Sequence, residues 1–180
     1  MRLDTQNGSS HGYRLATLDP PLTDGAVYLQ AMIRLENVAL SSGVLVLLEL
    51  HPASGNFRQK LSVNYHPGHV AGLSAVPGVD YLLNAEPVFS VGEGKWHCVT
   101  LEVAMDEEMG HASAWVDGTL IKHTGPINSI PGGNLGRLLA GNVLALAPSG
   151  SQATLLIDQI SLSRERISCP VSPLASVAAP

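Results

Sequence analysis

Aromatic side chains are scarce in this sequence, with four Tyr, two Trp and two Phe in 180 residues. So few rings exclude a broad stacking platform, and several of them, Trp96 and Phe89 among them, are needed inside. Charge is also thin. Only 14% of residues are charged and the net charge is −5, which leaves no concentrated basic surface of the kind nucleic acid requires. The longest apolar runs, Val44 to Leu48 and Leu138 to Ala147, fall far short of the ~20 residues of a membrane helix, so no membrane insertion is expected. Met1 is followed by Arg-Leu-Asp-Thr-Gln-Asn-Gly rather than an apolar stretch, so no signal peptide is visible. We expect a segment of a longer secreted or surface protein.

Two cysteines are too few for a disulfide framework. Cys98 in a strand and Cys169 in the tail are expected as separate free thiols, and their single possible pairing stays open. Recognisable catalytic motifs are missing too: there is no Gly-x-Ser-x-Gly elbow, no phosphate loop and no Cys/His nucleophile pair. His66-Pro67-Gly68-His69 has a chelating gap, but Pro-Gly between the two reads as a turn and no third ligand stands nearby.

What is present is apolar and heavily punctuated. A 45% hydrophobic content with 18 Gly and 12 Pro suits many short strands joined by turns, and excludes a disordered chain. No segment sustains a 3.6-residue apolar period. Strands instead recur every ~8 to 12 residues, the rhythm of a sandwich or barrel. The pattern predicts strands over 12–18, ended by Asp19-Pro20-Pro21, then over 26–35, 43–50, 58–65, 69–76 and 81–83, and later within 138–147 and 153–163. The nearly unbroken apolar run of 43–50 reads as a strand covered on both sides, which makes its one charge, Glu49, informative.

The stretch from Lys95 to Ile121 is the most telling. Val99, Leu101, Val103 and Met105 alternate with Cys98, Thr100, Glu102 and Ala104, which puts the apolar set on one buried sheet face. Asp106 to Gly110 interrupts the pattern as a hairpin connection would, Ala112, Ala114 and Val116 resume it, and Asp117-Gly118 makes a tight turn.

With Trp96-His97 opening one strand and Val116-Asp117-Gly118 closing the next, this hairpin resembles the concanavalin A-like lectin/glucanase superfamily and its laminin G-like branch. Leu155 to Leu162, with Asp158 inside an apolar strand, is similar to the closing strand of such domains. The resemblance implies an all-β fold, an antiparallel two-sheet jelly-roll β-sandwich. Residues 1–10 are then a flexible N-terminal segment, 11–164 the sandwich, and 165–180 a Pro/Ser/Ala-rich, linker-like tail.

The resemblance also implies a ligand on a concave sheet face or its rim loops. By alternation the semi-polar positions are Tyr28, Gln30, Arg34, Glu49, Arg58, Lys60, Ser62, Asn64 and Trp115. If their strands share a sheet, they offer a ring, amides and guanidinium forks for poly- or oligosaccharide recognition; otherwise they are solvated surface. Relatives often hold a structural calcium, for which Asp158 is the candidate ligand with Asp4 or Asp24, against a plain loop-bonding role. The glycosidase branch's Glu-x-Asp-x-x-Glu run is absent, and Tyr65, His66, Arg58 and Arg34 sit in no lyase motif. The expected function is therefore a non-catalytic glycan-recognition or adhesion module. A structural domain contacting other protein chains is the first alternative and a polysaccharide lyase or hydrolase the second.

Overall fold

The computed structural model describes residues 2–6, 11–54, 61–66, 69–75, 82–83, 95–130, 133–145 and 150–169. Within them lie β1 (Arg2–Gln6), β2 (His11–Leu22), β3 (Gly25–Ala39), β4 (Val44–Pro52), β5 (Leu61–His66), β6 (His69–Ala75), β7 (Leu82–Leu83), β8 (His97–Met105), β9 (His111–Val116), β10 (Thr119–His123), β11 (Leu135–Ala145) and β12 (Gln152–Ser163). They form two antiparallel sheets, one ordered β1-β12-β3-β8-β9-β10 and the other β2-β11-β4-β5-β6-β7. We call these the first and second sheet. Among the described residues no helix is long and apolar enough to cross a membrane.

Alternation decides which face of each strand is inside. Val27, Leu29 and Ala31 of β3 register with Val103, Leu101 and Val99 of β8, and together with Ile33 and Leu35 they turn inward and meet Leu48, Leu50, Leu61 and Val63 of the second sheet in one apolar cluster. The intervening residues necessarily face away from it. Strand β4 is buried along its whole length, as the apolar run of 43–50 predicts.

Three expectations are corrected. Residues 2–6 are not a frayed leader: β1 pairs along its length with β12. The prolines at 20 and 21 do not end β2, which continues to Leu22; β2 is an edge strand of its sheet, where a missing N–H costs no interior ladder bond. The tail does not leave the sandwich at residue 165, because Cys169 is bonded to Cys98, so the two cysteines are not free thiols.

The predicted hairpin is β8–β9 and the predicted turn joins β9 to β10. Asp106 Oδ1 accepts from the amides of Glu108 and Met109, both at 2.8 Å, closing the first connection. Asp117 adopts φ 50°, which Asp tolerates better than most residues, and its carboxylate bridges back to β8. Oδ1 accepts from the Cys98 amide at 2.8 Å and Oδ2 lies 2.7 Å from His97 Nδ1. The Trp-His opening and Asp-Gly closing are thus two halves of one clasp.

Candidate ligand cleft beneath the C-terminal strap

On the outer face of the first sheet, Tyr28 and Gln30 of β3 stand beside Thr100 and Glu102 of β8, and Thr100 pairs across to Trp115 of β9. Glu102 is the hub. Tyr28 donates its hydroxyl to Oε1 at 2.9 Å and the Trp115 indole N–H donates to Oε2 at 3.1 Å. Burial pushes the Glu102 carboxyl up, but hydrogen bonds from Trp115, Tyr28 and Ser113 and the nearby His111 outweigh it and hold it below the usual carboxylate range. Desolvation first, then the bond to Glu102, raises the Tyr28 phenol. Gln30 is closed off by the Thr100 hydroxyl, which donates to its Oε1 at 3.1 Å.

Over this face lies a strap, residues 164–169, that leaves the end of β12. Arg164 fastens it to the Asp24 carbonyl and lies 3.9 Å from the Asp24 carboxylate. Arg166 donates Nη2 to the Gly118 carbonyl at 2.9 Å, and its guanidinium carbon sits 3.6 Å from the centre of the Trp115 ring. The far end is the disulfide to Cys98, with the two Cα atoms 5.8 Å apart. Between strap and sheet runs a cleft of about 340 Å³ lined by Thr100, Trp115, Gly118, Arg166, Ile167, Ser168 and Cys169. It presents one ring, one fixed cation, hydroxyls and backbone.

The nine semi-polar residues do not form one site. Tyr28, Gln30, Arg34 and Trp115 share the outer face of the first sheet, but Arg34 is held by Glu36 and lies 5.8 Å from the Trp96 ring, so its cation serves the sheet. Glu49, Ser62 and Asn64 are on the outer face of the second sheet, across the core. Arg58 and Lys60 lie outside the described residues. Alternation fixes a residue's side of its own strand, not the sheet the strand joins, and so the grouping failed.

On that opposite face Glu49 Oε2 and His51 Nε2 are 2.7 Å apart with exposures of 2% and 3%. Arg137 registers beside His51 and donates to the Ala53 carbonyl at 3.0 Å. Ser62 Oγ and both amide atoms of Asn64 are buried without a hydrogen-bond partner among the described residues. Sequence reasoning missed His51, although its i+2 spacing from Glu49 puts both on one strand face, and it missed Arg166, which no periodic pattern marks.

Asp158 is exposed, and its Oδ1 accepts from the Gln159 amide at 2.9 Å. Among the described residues no three His, Cys, Asp or Glu side chains gather to hold a metal ion.

No family model and no curated protein matches this sequence. Solved structures do. The chain is similar to an endo-β-1,4-glucuronan lyase from Trichoderma reesei, with a TM-score of 0.63 and 10% identity over 89% of this chain and 79% of the other. It is similar to the family 7 alginate lyase A1-II', at 0.65 and 14% identity over 86% and 72%. It also resembles a structure of botulinum neurotoxin type C, whose cell entry is described as dependent upon interaction with two ganglioside molecules, at 0.61 and 13% identity over 93% of this chain and 39% of that one. The fold is the concanavalin A-like jelly roll. None of the three is a laminin G domain, so the likeness supports the jelly roll and not that narrower branch. At 10–14% identity these likenesses show the fold alone.

Proposed function

We propose that this chain is a non-catalytic glycan-recognition module acting outside the cytosol, with its sugar seated in the cleft between the strap and the first sheet. The observation that carries the reading is the pairing, in one cleft of about 340 Å³, of the Trp115 indole with the Arg166 guanidinium. Sugars present apolar C–H faces and hydroxyl rims. The part of the indole that Arg166 leaves uncovered meets the first, while the guanidinium and the Thr100 and Ser168 hydroxyls bond the second. The volume suits a small ligand or one or two rings of a longer one. The fold's occurrence in polysaccharide lyases and in a ganglioside-interacting toxin supports a carbohydrate partner, and the disulfide supports an oxidising compartment.

A glycan array carrying neutral and acidic oligosaccharides tests the reading. Binding should appear and should weaken on the order of 10-fold in Trp115→Ala, which removes the ring and frees Arg166. Silence of the wild-type protein across the array would overturn it. Light scattering at high concentration addresses the other non-catalytic role, since a self-associating, array-silent protein would instead be an assembly domain.

The buried Glu49–His51 pair favours a second reading, a polysaccharide lyase working on the opposite face. His51 would take the proton beside a uronate carboxylate, Glu49 would orient the imidazole, and Arg137 would offset the developing charge. Incubation with alginate and glucuronan, followed by ultraviolet absorbance of unsaturated products, decides it. Product that vanishes in His51→Ala would replace the recognition reading with the catalytic one.

A further inference from the structure

Half of the cleft wall belongs to the sheet and half to the strap. Thr100, Trp115 and Gly118 come from β8, β9 and the turn after it, whereas Arg166, Ile167, Ser168 and Cys169 come from a segment without secondary structure. Among the described residues the strap's other polar side-chain holds are those of Arg164 and Arg166. Arg164 and Arg166 are exposed, and contacts made by exposed cations are weak and screened by salt. Among the described residues, the strap's far end is held by the covalent bond from Cys169 to Cys98, a residue of β8 buried at 2% exposure.

We propose that the Cys98–Cys169 disulfide positions Arg166 over Trp115 and thereby decides whether the cleft exists: the oxidised protein holds ligand there and the reduced protein does not. This rests on the reading of the cleft as a glycan site. Cys169 is half-buried whereas Cys98 is buried, so the Cys169 side of the bond is the more open to an attacking thiolate. Attack there forms a mixed disulfide at Cys169 and expels the Cys98 thiolate. The second thiol of the same dithiol then closes on its partner sulfur and releases Cys169, so that the reductant loses two electrons and two protons and the protein gains two thiols. The sandwich does not depend on the strap, because the strands of both sheets are held by their own ladders and a shared core.

The test compares three preparations: oxidised protein, protein reduced with dithiothreitol, and the Cys98→Ser/Cys169→Ser variant, each checked by far-ultraviolet circular dichroism to retain its strands. Trp115 is followed by acrylamide quenching in a Trp96→Phe background, which removes the indole two residues from Cys98. Loss of the Arg166 cover should raise quenching about twofold in the reduced and double-serine forms. Signals on the same glycan array should fall on the order of 10-fold in both, as expected when a preorganised wall is released. Unchanged quenching would show that the strap stays without the bond, and raised quenching with undiminished array signals would show that the site does not need it; either overturns the proposal. An oxidised protein that binds no glycan defeats the functional reading instead, and quenching alone then decides whether the disulfide positions the strap.

Discussion

Glu102 shows how much a single residue can carry on an exposed sheet face. Its carboxylate is useful to the fold only while ionised, since it then accepts from both Tyr28 and Trp115. Its lowered pKa means that the folded state favours the charged form, so the stability it contributes is fully present above the ordinary Glu value of 4.5 and is lost as pH falls through the lowered one. The raised Tyr28 phenol behaves oppositely: its contribution is present below 10.0 and lost as pH rises through the raised value. Thermal melts of wild type and Glu102→Gln from neutral pH into the acid range should therefore converge as pH drops, because protonation removes from the wild type what the substitution has already removed. Curves that stay parallel would show that Glu102 titrates as it does in the unfolded chain. At this scale alternation revealed that Tyr28 and Gln30 lie on one side of their strand, while Trp115 joins them only because β8 stands between β3 and β9. Nothing in the sequence revealed Arg166, whose position follows from a tether rather than from a period.

The β8–β9 connection is an element whose construction depends on a residue without a side chain. Gly110 is buried against the returning chain, and a Cβ there would lie 2.2 Å from Ser129 Oγ and 2.8 Å from the Ala104 and Asp106 carbonyl oxygens. Ser129 cannot give way freely, because its hydroxyl donates to the Ala104 carbonyl at 2.6 Å and accepts from the Asp106 amide at 3.0 Å. Gly110→Ala should cost about 1–3 kcal/mol in urea titrations, and a loss near zero would mean that the turn relaxes around the methyl group. The hairpin itself was legible, since strict alternation interrupted by a charged, Gly-ended stretch has few other solutions. Elements governed by long-range partners were not: β2 runs past its prolines because it lies at an edge, and β1 forms because β12 is there to receive it.

For the molecule as a whole, the sequence announced a sandwich or barrel through its strand rhythm, because apolar strand faces must be buried against another layer, and its resemblance to the concanavalin A-like superfamily narrowed this to two sheets. It did not announce which strands share a sheet. That depends on crossovers such as β3 to β4, which pass from one sheet to the other and leave no local mark. The assignment of Glu49 and Asn64 to the face of Tyr28 and Trp115 failed at this step. A core shared between the sheets also has a thermodynamic consequence. Leu101 is fully buried in it, registering with Leu29 and Ala114 within its sheet and belonging to the same cluster as Leu48 and Val63 of the other. Truncation to alanine should cost about 2–5 kcal/mol, because the surrounding strands are pinned by their ladders and collapse poorly onto the cavity. If the two sheets fold as one unit, denaturant unfolding followed by Trp fluorescence and by far-ultraviolet circular dichroism should give one coincident transition, shifted to a lower midpoint in Leu101→Ala with an unchanged slope. Two separated transitions, or a slope that falls with the midpoint, would show that one sheet survives when the other has melted. The cleft on the first sheet and the Glu49–His51 face on the second would then be sites on separately stable layers rather than opposite sides of a single cooperative core.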